Sequence, residues 1–123
     1  MISFSPKKYV EKDLIPEAIG YLEKSRIPFI RITEDEADEV SKINSRSMVL
    51  REFKQNTEGK FQITVQEKEG YRYTAKLLEN CGLKSITTDQ KTRKTTGIID
   101  YLGKALSTIE ILALHYNLSI VEG

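Results

Sequence analysis

From Phe61 onward apolar and polar residues take turns: Phe61, Ile63 and Val65 alternate with Gln62, Thr64 and Gln66. A period of two is the geometry of a strand with one buried face. The alternation resumes after Glu69-Gly70, where Tyr71, Tyr73, Ala75 and Leu77 are interleaved with Arg72, Thr74 and Lys76. Met48 to Lys54 is a third segment of strand character, and Thr57-Glu58-Gly59 lies where it would turn towards Phe61. Connections this short join antiparallel neighbours. The expectation is a three-stranded antiparallel meander over 48–54, 61–68 and 71–77, with a polar face of Gln, Thr, Arg and Lys turned to solvent or a partner.

Helices must cover the apolar face. Ser5-Pro6 reads as a cap followed by a first-turn proline, and residues 6–25 as a helix broken near Ile15, with Leu14, Ala18, Ile19 and Leu22 on one face. Pro28 ends it, since the residue before proline is pushed out of helical space, and Phe29–Ile32 suits a short strand. Thr33 with Glu36 forms a capping box, and Glu34, Asp35 and Glu36 favour the positive end of the helix dipole, so a helix over 34–45 is expected, burying Ala37, Val40 and Ile43. From Ile98 to Tyr116 apolar residues recur at helical spacing, and Ile99, Ile111 and Leu114 widen the arc beyond one stripe. The predicted fold is α+β: the meander packed on N-terminal helices and one long C-terminal helix, with Phe29–Ile32 or Leu118–Val121 as a candidate fourth strand at an edge.

A chain of 123 residues builds one core, so 1–123 is read as a single domain. Nineteen Lys and Arg stand against eighteen Asp and Glu, a net charge of +1 that creates no long-range field, so any anion site must come from local placement. Cys81 is the only cysteine, which excludes an intramolecular disulfide and a multi-cysteine zinc site. Together with the absence of an apolar leader or a run of about 20 apolar residues, this gives the expectation of a cytoplasmic protein with no membrane partner.

Catalytic groupings are thin. His115 is the only histidine, so a triad with Cys81 has no second candidate, and its place beside Asp100 and Lys104 on a narrow polar stripe explains it without chemistry. The glycines are dispersed and make no phosphate loop. Capping accounts for the acidic run from Glu34 to Glu39, and no cofactor or metal is implied. One enzyme reading survives: Glu52-Phe53-Lys54 is the acid-x-lysine arrangement of metal-dependent nucleases, with Asp38 or Glu17 as the upstream acid. The same triplet pattern recurs at Glu58 and Asp89, which weakens it.

The richest feature is the basic, hydroxyl-rich stretch 84–97. If Thr95 or Thr96 caps the last helix, then Lys84, Lys91, Arg93 and Lys94, with support from Arg72, converge on free backbone N–H groups and make a phosphate site. The primary expectation is therefore a non-enzymatic binding or regulatory protein whose ligand is a nucleic acid or nucleotide. An adaptor or inhibitor acting through protein contacts is the alternative, with Ile99, Leu106, Ile111 and Leu114 at the interface of a homodimer or partner complex. The nuclease comes third.

Overall fold

The computed structural model describes residues 9–68 and 72–122, the side chain of Arg72 apart. The predicted Ser5-Pro6 cap, the Glu69-Gly70 turn and Tyr71 lie outside the described residues. In chain order the elements are β1 (Lys12–Asp13), α1 (Ile15–Lys24), β2 (Ile30–Ile32), α2 (Glu34–Val40), β3 (Ser47–Gln55), β4 (Phe61–Glu67), α3 (Arg72–Asn80), β5 (Lys84–Asp89), β6 (Lys94–Ile99), α4 (Leu102–His115) and β7 (Asn117–Val121). The chain is mixed α+β, with one sheet of order β2-β7-β3-β4-β6-β5 and β1 beside β3. No helix among the described residues is long and apolar enough to cross a membrane.

The meander is recovered in part. β3 and β4 pair antiparallel as expected, with Phe53 opposite Ile63. The third segment is corrected: 72–80 is helix α3, and β6 takes the place beside β4. Seven residues from Tyr71 to Leu77 satisfy a period of two, but buried Thr74 and Leu78 and half-buried Leu77 and Cys81 follow the i, i+3, i+4, i+7 rule of a helix. The expected edge strands both form, but only β2 is at an edge; β7 lies inside, parallel to β2 and β3.

α1, α3 and α4 cover one face of the sheet and share a single core with Met48, Leu50, Phe53, Ile63, Val65 and Ile120. α2 is shorter than expected and covers the other face, where Ala37 packs with Ile32, Val49 and Val121 in a separate cluster. Its capping box is formed, with both the backbone N–H and the hydroxyl of Thr33 donating to Glu36 Oε1 at 3.0 and 2.9 Å. A bulge between Leu50 and Glu52 leaves Arg51 as an extra residue, which re-aims the second half of β3.

Stretch 84–97 is a hairpin of β5 and β6, a correction to the expected loop. Threonine is β-branched and suits a pleated surface, so the composition that reads as loop is also good strand composition. α4 accordingly starts at Leu102 and not at Ile98. Gly97 sits where the hairpin meets the core: a Cβ there would lie 2.7 Å from Leu83 Cδ2 and 3.1 Å from Leu83 Cβ, while Leu83 is 2% exposed. Overpacking of this kind costs about 1–3 kcal/mol. Gly97→Ala is expected to lower the urea midpoint accordingly, whereas Gly103→Ala, on α4 with nothing within 4 Å, gains about 0.5–1 kcal/mol from helix propensity. Equal effects of the two changes would contradict this packing.

Candidate functional site

The six residues of β6, rising about 3.3 Å each, separate Lys94 from the amino end of α4. The expected convergence on the helix is therefore not formed. Thr95 is 2% exposed and shares its hydroxyl with Thr88, and Thr96 Oγ1 lies 2.9 Å from Thr64 Oγ1, so neither caps α4; Tyr101 occupies the cap position. Lys91 is exposed in the hairpin turn. Arg93 donates to Glu67 O at 2.9 Å and to Asp38 Oδ1 at 2.8 Å. Arg72 is the first residue of α3, on a different element from the meander face predicted for it. Only Lys84 reaches the start of α4, in a hollow of about 470 Å³ with Lys60 and Lys104, but Glu58 and Asp100 line it too, and Lys60 lies 3.9 Å from Asp100.

Asp38 is a structural hub. Its carboxylate accepts from Arg93 and from Gln66 Nε2 at 3.2 Å and lies 3.0 Å from Lys42 Nζ, joining α2 to β4 and the β5–β6 hairpin. The hydrogen bond from Lys42, reinforced by Arg93, holds Asp38 below the ordinary carboxylate range. A depressed folded-state value contributes stability above the unfolded value, and this is lost as pH falls through the folded one. Asp38→Asn should therefore destabilise at neutral pH, and its urea midpoint should approach that of the wild type as acid protonates Asp38. A difference that stays constant into strong acid would contradict the linkage.

Glu52 and Lys54 of the nuclease reading lie on β3, with Lys54 Nζ 3.1 Å from Glu11 Oε1 and 3.8 Å from Glu52 Oε2. Neither proposed upstream acid is left unpaired: Asp38 is held as described and Glu17 lies 3.7 Å from Lys12. Among the described residues no three His, Cys, Asp or Glu side chains are grouped to hold a metal ion. The interface residues are dispersed: Ile99 is 5% exposed in the core, a correction, while Leu106 and Ile111 are half-buried and Leu114 is 63% exposed.

A different pocket has the stronger chemistry. Tyr73, Lys76, Leu77 and Asn80 fall on one face of α3, and with Arg46, His115 and Tyr116 they line an open surface depression of about 440 Å³. Arg46 is set by its turn, its N–H donating to Asn44 Oδ1 at 2.9 Å and its carbonyl accepting from Asn117 N at 2.8 Å. Its guanidinium donates to the His115 carbonyl at 3.0 Å, placing a cation on the negative end of α4. Burial pushes the Tyr116 phenol up, Glu67 adds to this and Arg46 opposes it, so the phenol remains a neutral donor. Among the described lining residues there are two fixed cations, one histidine, two tyrosine rings and no carboxylate. Helical spacing of Tyr73, Lys76 and Asn80 beside the buried Thr74–Leu78 stripe is the available sequence signal; nothing in the sequence marks Arg46, whose role depends on contacts made through the fold.

No family model, curated protein or solved structure matches the chain.

Proposed function

We propose that the protein is a non-enzymatic binding or regulatory protein whose ligand combines a phosphate with an aromatic base, a nucleotide or nucleic acid, held in the pocket between α3 and the end of α4. The observation that carries this is the lining: Arg46 and Lys76 supply positive charge, His115 an imidazole that can hydrogen-bond, Tyr73 and Tyr116 supply rings, and no described lining residue is acidic. Phosphate needs charge-assisted donors and a base needs an aromatic face. Tyr73 is 82% exposed, placing its ring at the pocket rim where a base could cover it. The volume of about 440 Å³ falls within the size range of small-ligand sites.

Two charged contacts and one stack give about 4–9 kcal/mol gross, from which association removes at least about 4 kcal/mol, so at most about 5 kcal/mol remains and a mononucleotide should bind weakly, no tighter than about 0.2 mM. The test is an NMR titration with a nucleoside monophosphate and, separately, inorganic phosphate. Shifts at Arg46, Lys76, His115 and Tyr116, larger with the nucleotide and suppressed by salt, are expected. No shift at these residues with either at millimolar concentration would remove the proposal.

Protein contact is a second reading with one observation in its favour: the exposed Ile30, Ile43 and Leu114 border a common groove. Light scattering at high concentration tests self-association there, and a strict monomer argues against the homodimer.

A further inference from the structure

The basic pocket has a neighbour. Arg46 and Tyr116 also line a second cavity of about 610 Å³ at the end of the sheet where β2, β7 and β3 begin. Its walls include Phe29, Ile30, Ile43 and Leu114. Its polar edge includes Asn44 and Asn117 with Ser47 and Ser119. Asn44 Oδ1 already accepts from Arg46 N and from the Ser47 hydroxyl, which leaves the Asn44 amide NH₂ as a donor. The one carboxylate among the described lining residues, Glu36, is held by Thr33 in the capping box.

Apolar walls with amide edges suit a flat ring that also hydrogen-bonds. An acyl chain would cover those amides without replacing their bonds to water. Arg46 is the one cation among the described residues of this cavity, and it stands on the wall common to both. Both volumes fall within the size range of small-ligand sites, and a phosphodiester joins consecutive nucleotides.

We propose that the ligand is a single-stranded nucleic acid spanning the two cavities, one base in each, with the phosphate between them at Arg46. This rests on the reading of the α3–α4 pocket and extends it from mononucleotide to strand. Base recognition in a single strand uses faces for stacking and edges for hydrogen bonds, which the two cavities supply in different proportions.

The experiment is calorimetric titration of the full chain with a mononucleotide, a dinucleotide, the same dinucleotide lacking one base, and a tetranucleotide, in ribo and deoxyribo series. The dinucleotide should bind about five- to a hundredfold tighter than the mononucleotide in at least one series, with the abasic form losing that gain. The tetranucleotide should match the dinucleotide apart from the statistical advantage of several registers. Leu114→Glu, at a 63% exposed position, should remove the gain, and the uncharged Leu114→Ala should reduce the gain and leave mononucleotide affinity unchanged. Equal affinity for mono- and dinucleotide overturns the strand proposal and leaves the pocket reading standing. Binding of neither removes both. A dimer that Leu114→Glu dissociates, with no dinucleotide gain, assigns the groove to a second copy and also overturns it.

Discussion

Reversing both fixed cations, Arg46→Glu with Lys76→Glu, is expected to lower nucleotide affinity at least about a hundredfold. Each charge-assisted contact is worth about 1.5–3 kcal/mol, and the introduced carboxylates repel the phosphate as well. Both positions are exposed, so the fold should survive. The cost at Arg46 is its bond to the His115 carbonyl, with a carboxylate now at the negative end of α4, together about 1 kcal/mol or more. Arg46→Gln is the control, keeping a donor and losing the charge. For a nucleic-acid ligand the slope of log affinity against log salt should become shallower by one to two units, according to how many of these contacts reach phosphate. Unchanged affinity in the double variant, with melting close to wild type, would remove Arg46 and Lys76 from the site.

Phe53→Ala is expected to cost about 3–5 kcal/mol, a large part of the 5–15 kcal/mol typical of a domain. Phe53 is fully buried, packs in the core beneath α1 opposite Ile63 on β4, and its carbonyl accepts from Leu14 N at 2.7 Å. Removing the ring leaves a cavity between rigid strands that collapse cannot fill. A fall in melting temperature of about 10–20 °C should follow. Phe53→Leu keeps most of the volume and should cost less, about 1–2 kcal/mol. An Ala variant as stable as the Leu variant would mean that the bulge at Arg51 lets β3 shift and close the space.

The sequence carried the local signals well and the distant ones poorly. The strand at Phe61–Val65, the Thr33–Glu36 box and the α1 stripe of Ala18, Ile19 and Leu22 are decided by neighbours in the chain, and all three appear where expected, but Thr64 and Gln66 are buried, with Gln66 against Asp38 of α2, and do not face solvent. Residues 72–77 went wrong because a seven-residue window fits two periods, and the deciding residues, Leu78 and Cys81, lie beyond it. The hairpin is hard to read, and reads as a loop, because two of the three buried residues of β6, Thr95 and Gly97, are polar or small, and at Gly97 a larger side chain would meet Leu83. That error displaced the anion site, since it joined the hairpin cations to a helix end a whole strand away. Arg46 and Lys76, by contrast, lie on elements separated in sequence by two strands, and only tertiary packing brings them to one pocket.

β7 separates β2 from β3, bringing Ile30 against Ser119 and Met48 against Leu118. The β2 side can join the rest only after ends far apart in the chain have met, a costly loop closure that slows assembly. Until then the first half of β3, Ser47 to Leu50, presents a bare edge, open to another chain. Amide exchange should accordingly show β2 and β7 gaining protection in one step during refolding, after the β3–β4 hairpin.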